Sequence, residues 1–386
     1  MFVIAEIGTA HAGSFNAACK LIDAARDAGA DAVKLQWVYA DENLHPAAGL
    51  VELPGGAVPL YERFRALEVP PDFFARAQAY ARDVGMQFIC SPFGLKSLRE
   101  LLALRPDAVK IASPELNHIP LLTALAAHRR VQRERGSPPI PVILSSGVSR
   151  LADIETALDI VGTDDVTVLH CVTSYPAPED EYNVRTVETL RNTFGVATGI
   201  SDHSLDPVLV PALAAAAGST MTEKHITLSK NGGGLDDPVA LEKDAFTQMV
   251  YVLRQCDAAI KRYGTEQGAA IIRSELSEQY GKEKVERVLG TGMKQLADAE
   301  RENYGRTNRS LHFMRALPAG AVIAPQDVAV LRTEKNLSPG IAPCFLTTVI
   351  GAQLTRAVTD GAGVQWEDVI ARKSTAHTDG TACKHR

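Results

Sequence analysis

Short apolar runs rich in β-branched residues alternate with longer stretches of helical period from residue 2 to about residue 262. The runs at 2–6, 32–36, 87–90, 108–112, 142–145, 166–171, 196–200 and 220–225 are nearly continuous in apolar character, as strands buried on both faces are. Between them, 16–28, 71–84, 95–104, 119–128, 151–160, 183–192 and 207–217 read as helices, and 243–263 follows the last strand. Eight strand-then-helix units predict an α/β fold, a (β/α)8 TIM barrel over residues 1–264. A doubly wound sheet usually has fewer strands, and no GxGxxG follows the first strand. Two loops are long: 38–70 after the second strand and 229–241, containing NGGGLDDP, after the eighth. Both fall at the carboxyl ends of strands, where barrel enzymes keep their chemistry.

Beyond residue 264 the pattern changes. Residues 265–307 are polar, charged and helical in period, and read as a linker; 308–372 are turn-rich with short strands, a second small β-rich domain; 373–386 read as a disordered tail. A domain of about 65 residues is small enough to need packing partners.

Composition narrows the function by exclusion. With 40 Lys+Arg against 46 Asp+Glu the net charge is −6, which argues against nucleic acid or a membrane surface as partner but leaves room for an anionic small substrate. Cys19, Cys90, Cys171, Cys256, Cys344 and Cys383 are scattered without a CxxC pair, the usage of reduced thiols in the cytoplasm. The N-terminal apolar run is too short for a signal peptide and has no basic residues before it, and no apolar run is long enough to span a bilayer. A cytoplasmic protein is expected.

The informative feature is what ends each strand. The first ends in Glu6, with His11 beyond; the second carries Lys34 and Gln36; the third leads to Ser91; the fourth holds Lys110 and runs into Ser113 and Glu115. The fifth ends in Ser145, the sixth in His170 followed by Thr173 and Tyr175, the seventh leads to Ser201 and His203, and the eighth carries Glu223 and His225. Polar ends converging on one mouth would need many compensating hydrogen bonds if no ligand met them. Lys34 and Lys110, with hydroxyls of Ser113, Ser145 and Ser201, are suited to cradle a phosphate; either lysine alone would more simply pair with a carboxylate such as Glu6. His203 and His225, on neighbouring strands, suit a borderline divalent ion or stand as satisfied core histidines, and spacing leaves both readings open. Asp236 and Asp237 are either turn formers or acceptors for sugar hydroxyls.

These residues carry a resemblance. IAEIGTAHAGS, ADAVKLQ, CSPFG, VKIASPEL, ILSSGVS, LHCVTSYPAPEDEYN, GISDHS and EKHITLSKNGGGLDDPVALEKDAF resemble, in order, the motifs of the sialic acid synthases, which condense phosphoenolpyruvate with N-acetylmannosamine and related amino sugars. The segment from Asn308 resembles that family's antifreeze-like (SAF) domain. The resemblance implies that Lys34, Ser91, Lys110, Ser113, Ser145, Thr173 and Ser201 bind phosphoenolpyruvate and that His203 and His225 bind a divalent metal, Mn²⁺ first, with Mg²⁺ or Co²⁺ as alternatives. It further implies that Gln36, Tyr175, Asp236 and Arg309 meet the acceptor sugar and that Glu6 and Glu115 handle the proton. The implied dimer is domain-swapped, with Arg309 reaching the partner's barrel. The implied reaction joins carbon 3 of phosphoenolpyruvate to the acceptor's aldehyde carbon, adds water at carbon 2 and releases phosphate by C–O cleavage.

Three departures from the family pattern stand out. Ala10 precedes His11 where the family has asparagine, NGGGLDDP replaces a PGPD-type loop, and Ser91 stands for a threonine. The phosphate and metal positions survive while changes fall where an acceptor would lie, so a non-standard acceptor sugar is expected. Two other readings remain: a synthase of keto-sugar phosphates, which would need a second phosphate site, and a non-catalytic sugar-binding protein on a degenerate barrel.

Overall fold

The computed structural model describes residues 1–53, 56–334 and 336–370. Strands β1 (Phe2–Gly8) and β2 (Ala32–Trp37) are followed by a short antiparallel hairpin, β3 (Leu50–Leu53) with β4 (Gly56–Pro59). Then come β5 (Gln87–Pro92), β6 (Ala108–Ile111), β7 (Val142–Ser145), β8 (Val166–Cys171), β9 (Ala197–Asp202) and β10 (Met221–Thr227). Apart from the hairpin these pair in parallel in chain order, and β1 also pairs with β10, so eight strands close into a barrel wrapped by helices. The expected strands are all present, with ends moved by no more than two residues. A two-residue strand, β11 (Leu241–Glu242), pairs in parallel with the end of β10.

Strand alternation builds the interior in layers. Ile4, Ala32, Ile89, Ala108, Ile143 and Leu169 form an apolar floor. Two residues further along the same strands, and so facing the same way, stand Glu6, Lys34, Ser91, Lys110, Ser145 and Cys171. The same step takes β9 from Gly199 to Ser201 and β10 from Met221 to Glu223. Polar chemistry thus begins one layer above the floor, at the carboxyl end of the barrel.

The outer faces of the strands meet amphipathic helices. Phe15–Asp27 starts where the Ser14 hydroxyl accepts from the Ala17 N–H at 3.3 Å, and it buries Leu21, Ile22 and Ala25. Within the long loop after β2, the hairpin is followed by a helix, Leu60–Leu67, and Val38, Leu44, Leu60 and Phe64 pack with Phe93 as a separate cluster beside the mouth.

The segment read as a linker is mostly two helices, Thr265–Tyr280 and Lys282–Leu289, packed on the helices Leu209–Ala216 and Lys243–Tyr263. Ala269, Ile272, Leu276, Val285 and Val288 join the barrel's own core, so this stretch is an extra layer of the barrel rather than a tether. The C-terminal unit pairs β12 (Arg309–Phe313) with β13 (Val328–Arg332) antiparallel, around Leu311, Phe313, Ile323, Val349, Leu354 and Val364. The expected disordered tail at 373–386, with Cys383, lies outside the described residues. Among the described residues no helix is long and apolar enough to cross a membrane, and Cys19, Cys90, Cys171, Cys256 and Cys344 are free thiols.

Candidate active site

The polar layer is organised by charge. Lys34 Nζ lies 2.8 Å from Glu6 and 3.7 Å from Glu223, and donates to Ser91 Oγ at 3.3 Å. Lys110 Nζ lies 3.8 Å from the other oxygen of Glu223 and donates to the Ile111 carbonyl at 3.2 Å. Glu223 therefore bridges two buried lysines, and its Oε1 also accepts from Ser201 at 3.0 Å. The sequence showed Glu223 only as a polar residue near a strand end. Its role depends on pairing, which places it opposite Ser201 of β9 and Ile4 of β1.

Burial and charge set the ionisation of the group. Burial alone would raise the Glu223 carboxyl, but Lys110, Lys34 and the Ser201 hydroxyl hold it down at about 2. Burial pulls Lys34 down, and Glu223 and Glu6 together outweigh it, leaving Lys34 above the usual lysine range. Lys110 has less support. Burial pushes it down to about 8 against the pull of Glu223, with Lys34 adding to the push.

Glu6 is also oriented by Gln36, whose Nε2 donates to its Oε1 at 2.8 Å. The β1–β2 register shifts between Glu6 and Gly8, a bulge that bends the strand at the rim. A Cβ at Gly8 would stand 3.2 Å from Gln36, 3.4 Å from Glu6 and 3.6 Å from Asp236, so three expected site residues gather around one glycine of positive φ. Asp236 also faces the His225 ring at 3.9 Å. Its neighbour Asp237 holds the loop, accepting from Thr227 Oγ1 at 2.8 Å and from the Gly234 N–H at 2.7 Å.

On the other side of the mouth, Ser113 Oγ accepts the Gly147 N–H at 3.1 Å. Ser145 Oγ and Thr173 Oγ1 are buried without a hydrogen-bond partner. Buried hydroxyls are rarely left so, and beside two lysines their chemistry suits an anion. Gly147 permits this convergence: a Cβ there would lie 2.0 Å from Thr173 Oγ1, 2.9 Å from Ser113 Oγ and 3.2 Å from Cys171 Sγ. Gly147→Ala is expected to cost about 1–3 kcal/mol of stability through overpacking, read as a lower urea midpoint; an unchanged midpoint would mean the cradle has slack.

The histidines adjoin this layer. The His203 and His225 ring centroids are 5.7 Å apart, and the Tyr175 ring stacks on His203 at 4.3 Å. The Val172 carbonyl lies 2.9 Å from His203 Nδ1 and can only accept, so that nitrogen carries the proton and Nε2 is the one left to bind. Burial lowers His225 below the usual range and keeps it neutral. His203 is held up at about 9: burial opposes, but Cys171, whose Sγ is 3.8 Å from Nδ1, outweighs it, and a metal at Nε2 would displace the proton of that nitrogen, leaving the one on Nδ1. Among the described residues no group of three or more His, Cys, Asp or Glu is placed to hold a metal. Two imidazoles would supply part of a divalent ion's shell and leave its other positions open.

Two expected site residues sit together and apart from this cluster. Arg309 Nε is 2.6 Å from Glu115, and both side chains are fully buried. The guanidinium also donates to the carbonyls of Glu42 at 2.7 Å, Asn43 at 3.0 Å and Phe93 at 2.7 Å. Within this chain Arg309 is held by the barrel, and it clamps the C-terminal unit onto the loops after β2, β5 and β6. Sequence reasoning also missed Lys294, Glu300 and Asn308, whose side chains enter the loops after β7 and β8.

A model of the NeuB family matches residues 21–264, and one of the SAF domain matches residues 308–370. The chain is 30% identical to the spore coat polysaccharide biosynthesis protein SpsE of Bacillus subtilis, over 98% of this chain and 95% of that protein. It is 28% identical to an N,N'-diacetyllegionaminic acid synthase of Legionella pneumophila, over 96% and 95% of the two chains. The crystal structure of the Bacillus subtilis SpsE protein superposes with a TM-score of 0.76 at 28% identity, covering 96% of each chain.

Proposed function

The chain belongs to the NeuB family and ends in a SAF domain, and from that premise we propose that it condenses phosphoenolpyruvate with an aldose, an N-acylated amino sugar or a close relative. The products are a 2-keto-3-deoxy sugar acid of the nonulosonic type and phosphate. The observation that carries the reading is the polar end of the barrel, where Lys34 and Lys110, linked by Glu223, share the mouth with the unpartnered hydroxyls of Ser145 and Thr173 and a histidine pair.

Lys34 and Lys110 hold the phosphate as point charges, with Ser91, Ser113, Ser145, Thr173 and Ser201 supplying hydroxyls around it. Gln36, Tyr175 and Asp236 line the side from which the acceptor enters. His203 and His225 hold a divalent ion, Mn²⁺ in our reading, which when bound supplies Lewis acidity toward the acceptor's aldehyde oxygen. Of the two carboxylates expected to handle the proton we assign Glu6, which stands in the polar layer between Lys34 and Gln36, whereas Glu115 is occupied by Arg309. Glu6 positions the water that adds at carbon 2 and takes its proton.

The acceptor reading rests on Ala10 and the 230–237 loop, which is fastened by Asp237 and by Arg63 donating to the Gly233 carbonyl at 2.6 Å. The test is phosphate release by purified protein with Mn²⁺, phosphoenolpyruvate and a panel of aldoses, with product masses. Release should need both substrates and favour an aldose other than N-acetylmannosamine. A strong preference for N-acetylmannosamine sinks the acceptor reading; no release with any aldose sinks the reaction.

A further inference from the structure

The loop after β7 is gripped at successive backbone positions by side chains from beyond the barrel. Lys294 Nζ donates to the Ser146 carbonyl at 2.8 Å. Glu300 Oε2 accepts the Val148 N–H at 3.0 Å, and Asn308 Nδ2 donates to the Val148 carbonyl at 3.0 Å. The same Glu300 oxygen accepts the Thr173 N–H at 2.7 Å, so one carboxylate ties the loop after β7 to the loop after β8. All three side chains are buried, Glu300 to 1% exposure. Val148, the residue held on both sides, has φ of +43°, a conformation a β-branched residue rarely takes without support.

Strands β7 and β8 are complete without these contacts, being paired to each other along their length. What the contacts fix is the loop tips. Between the gripped residues lies Gly147, whose N–H meets Ser113 and whose missing side chain leaves room for Thr173. Those hydroxyls, with Ser145 on the strand paired to that of Lys110, belong to the proposed phosphate cradle.

We infer that Glu300, Lys294 and Asn308 are positioning residues for the phosphoenolpyruvate subsite, so that the segment after the barrel takes part in building the barrel's active site. This rests on the reaction proposed above. The three residues touch no substrate; they act through Val148, Ser146 and Thr173. Their effect should therefore fall on phosphoenolpyruvate and spare the acceptor, which meets the opposite rim around Gln36 and Asp236.

The experiment uses the full chain and the variants Glu300→Ala, Glu300→Gln and Lys294→Met. It measures KM for each substrate, direct phosphoenolpyruvate binding by calorimetry, and thermal midpoints. Glu300→Ala is expected to weaken phosphoenolpyruvate, in KM and Kd alike, by about tenfold, the scale of a charge-assisted hydrogen bond lost beneath a binding loop. The acceptor KM should stay within about twofold. Glu300→Gln should restore most of the affinity, because one amide oxygen can accept both N–H groups, and Lys294→Met should lose several-fold. If Glu300→Ala does not fold, Lys294→Met and Asn308→Ala carry the same comparison. Variants with lower thermal midpoints but wild-type phosphoenolpyruvate affinity, or with both substrates weakened equally, overturn the inference. Wild-type protein that neither binds nor consumes phosphoenolpyruvate overturns the functional reading, and this one with it; wild-type binding matched by every variant overturns only this one.

Discussion

Lys110→Met is expected to lower kcat/KM for phosphoenolpyruvate by about 10³-fold while leaving the protein folded. Of the two ammonium groups paired with Glu223, Lys34 already has Glu6 at 2.8 Å, whereas the carboxylate paired with Lys110 is Glu223 at 3.8 Å. Lys110 is therefore the cation with more of its field available to an incoming phosphate. A loss of about 10³-fold corresponds to roughly 4 kcal/mol, within the range for truncating one partner of a desolvated charge pair. Methionine keeps most of the volume, and Glu223 retains Lys34 at 3.7 Å, so no charge is stranded in the barrel. The wild-type pH profile gives a second reading of the same residue. Burial holds Lys110 down at about 8, so its charge is present below that pH and lost as pH rises through it. kcat/KM for phosphoenolpyruvate, which reports the free enzyme, should fall above about pH 8. Initial rates at low phosphoenolpyruvate from acid to alkaline pH, for wild type and variant, make the measurement. A variant within fivefold of wild type would remove Lys110 from the cradle.

How much of this was legible depended on whether a signal was local. The eight strands were, because a parallel strand buried on both faces is an apolar run whatever it pairs with. The polar layer was nearly so: Glu6, Lys34, Lys110 and Ser145 lie two residues beyond an apolar interior position, and barrels place chemistry at that end. Glu223 was visible as a residue but not as a bridge, since bridging depends on a register between strands distant in sequence. Glu115 stood out near a strand terminus and Arg309 only through the resemblance; that the two pair with each other needs the packing of the C-terminal unit on the barrel. The helices at 265–289 read as a linker because Ala269, Ile272 and Leu276 are sparse among charges. Their apolar stripe is complete only against the helices Leu209–Ala216 and Lys243–Tyr263. Lys294, Glu300 and Asn308 carry no sequence signal, for their partners are backbone groups more than a hundred residues away.

His225→Ala is expected to abolish turnover, by about 10³-fold or more, with little change in thermal midpoint. The imidazole faces the mouth rather than the apolar floor, and its contacts are with other candidate site groups: Asp236 at 3.9 Å, the His203 ring at 5.7 Å and the edge of Tyr175 at 6.2 Å. Removing it leaves a small polar space at the open end of the barrel, which water can fill, so the penalty of an apolar cavity does not apply. With only two imidazoles available, losing one halves the protein's share of the proposed shell, and Lewis-acid stabilisation worth several kcal/mol goes with it. Metal content separates this from a positional effect. After dialysis against Mn²⁺ the wild type should retain the ion and the variant should not, while phosphoenolpyruvate binding, which we assign to Lys34 and Lys110, should change far less than turnover. Full activity in the variant would dismiss the metal role of the pair. Lost activity with metal retained would shift His225 from ligand to acceptor contact, since Asp236 and Tyr175 beside it are the groups expected to meet the sugar.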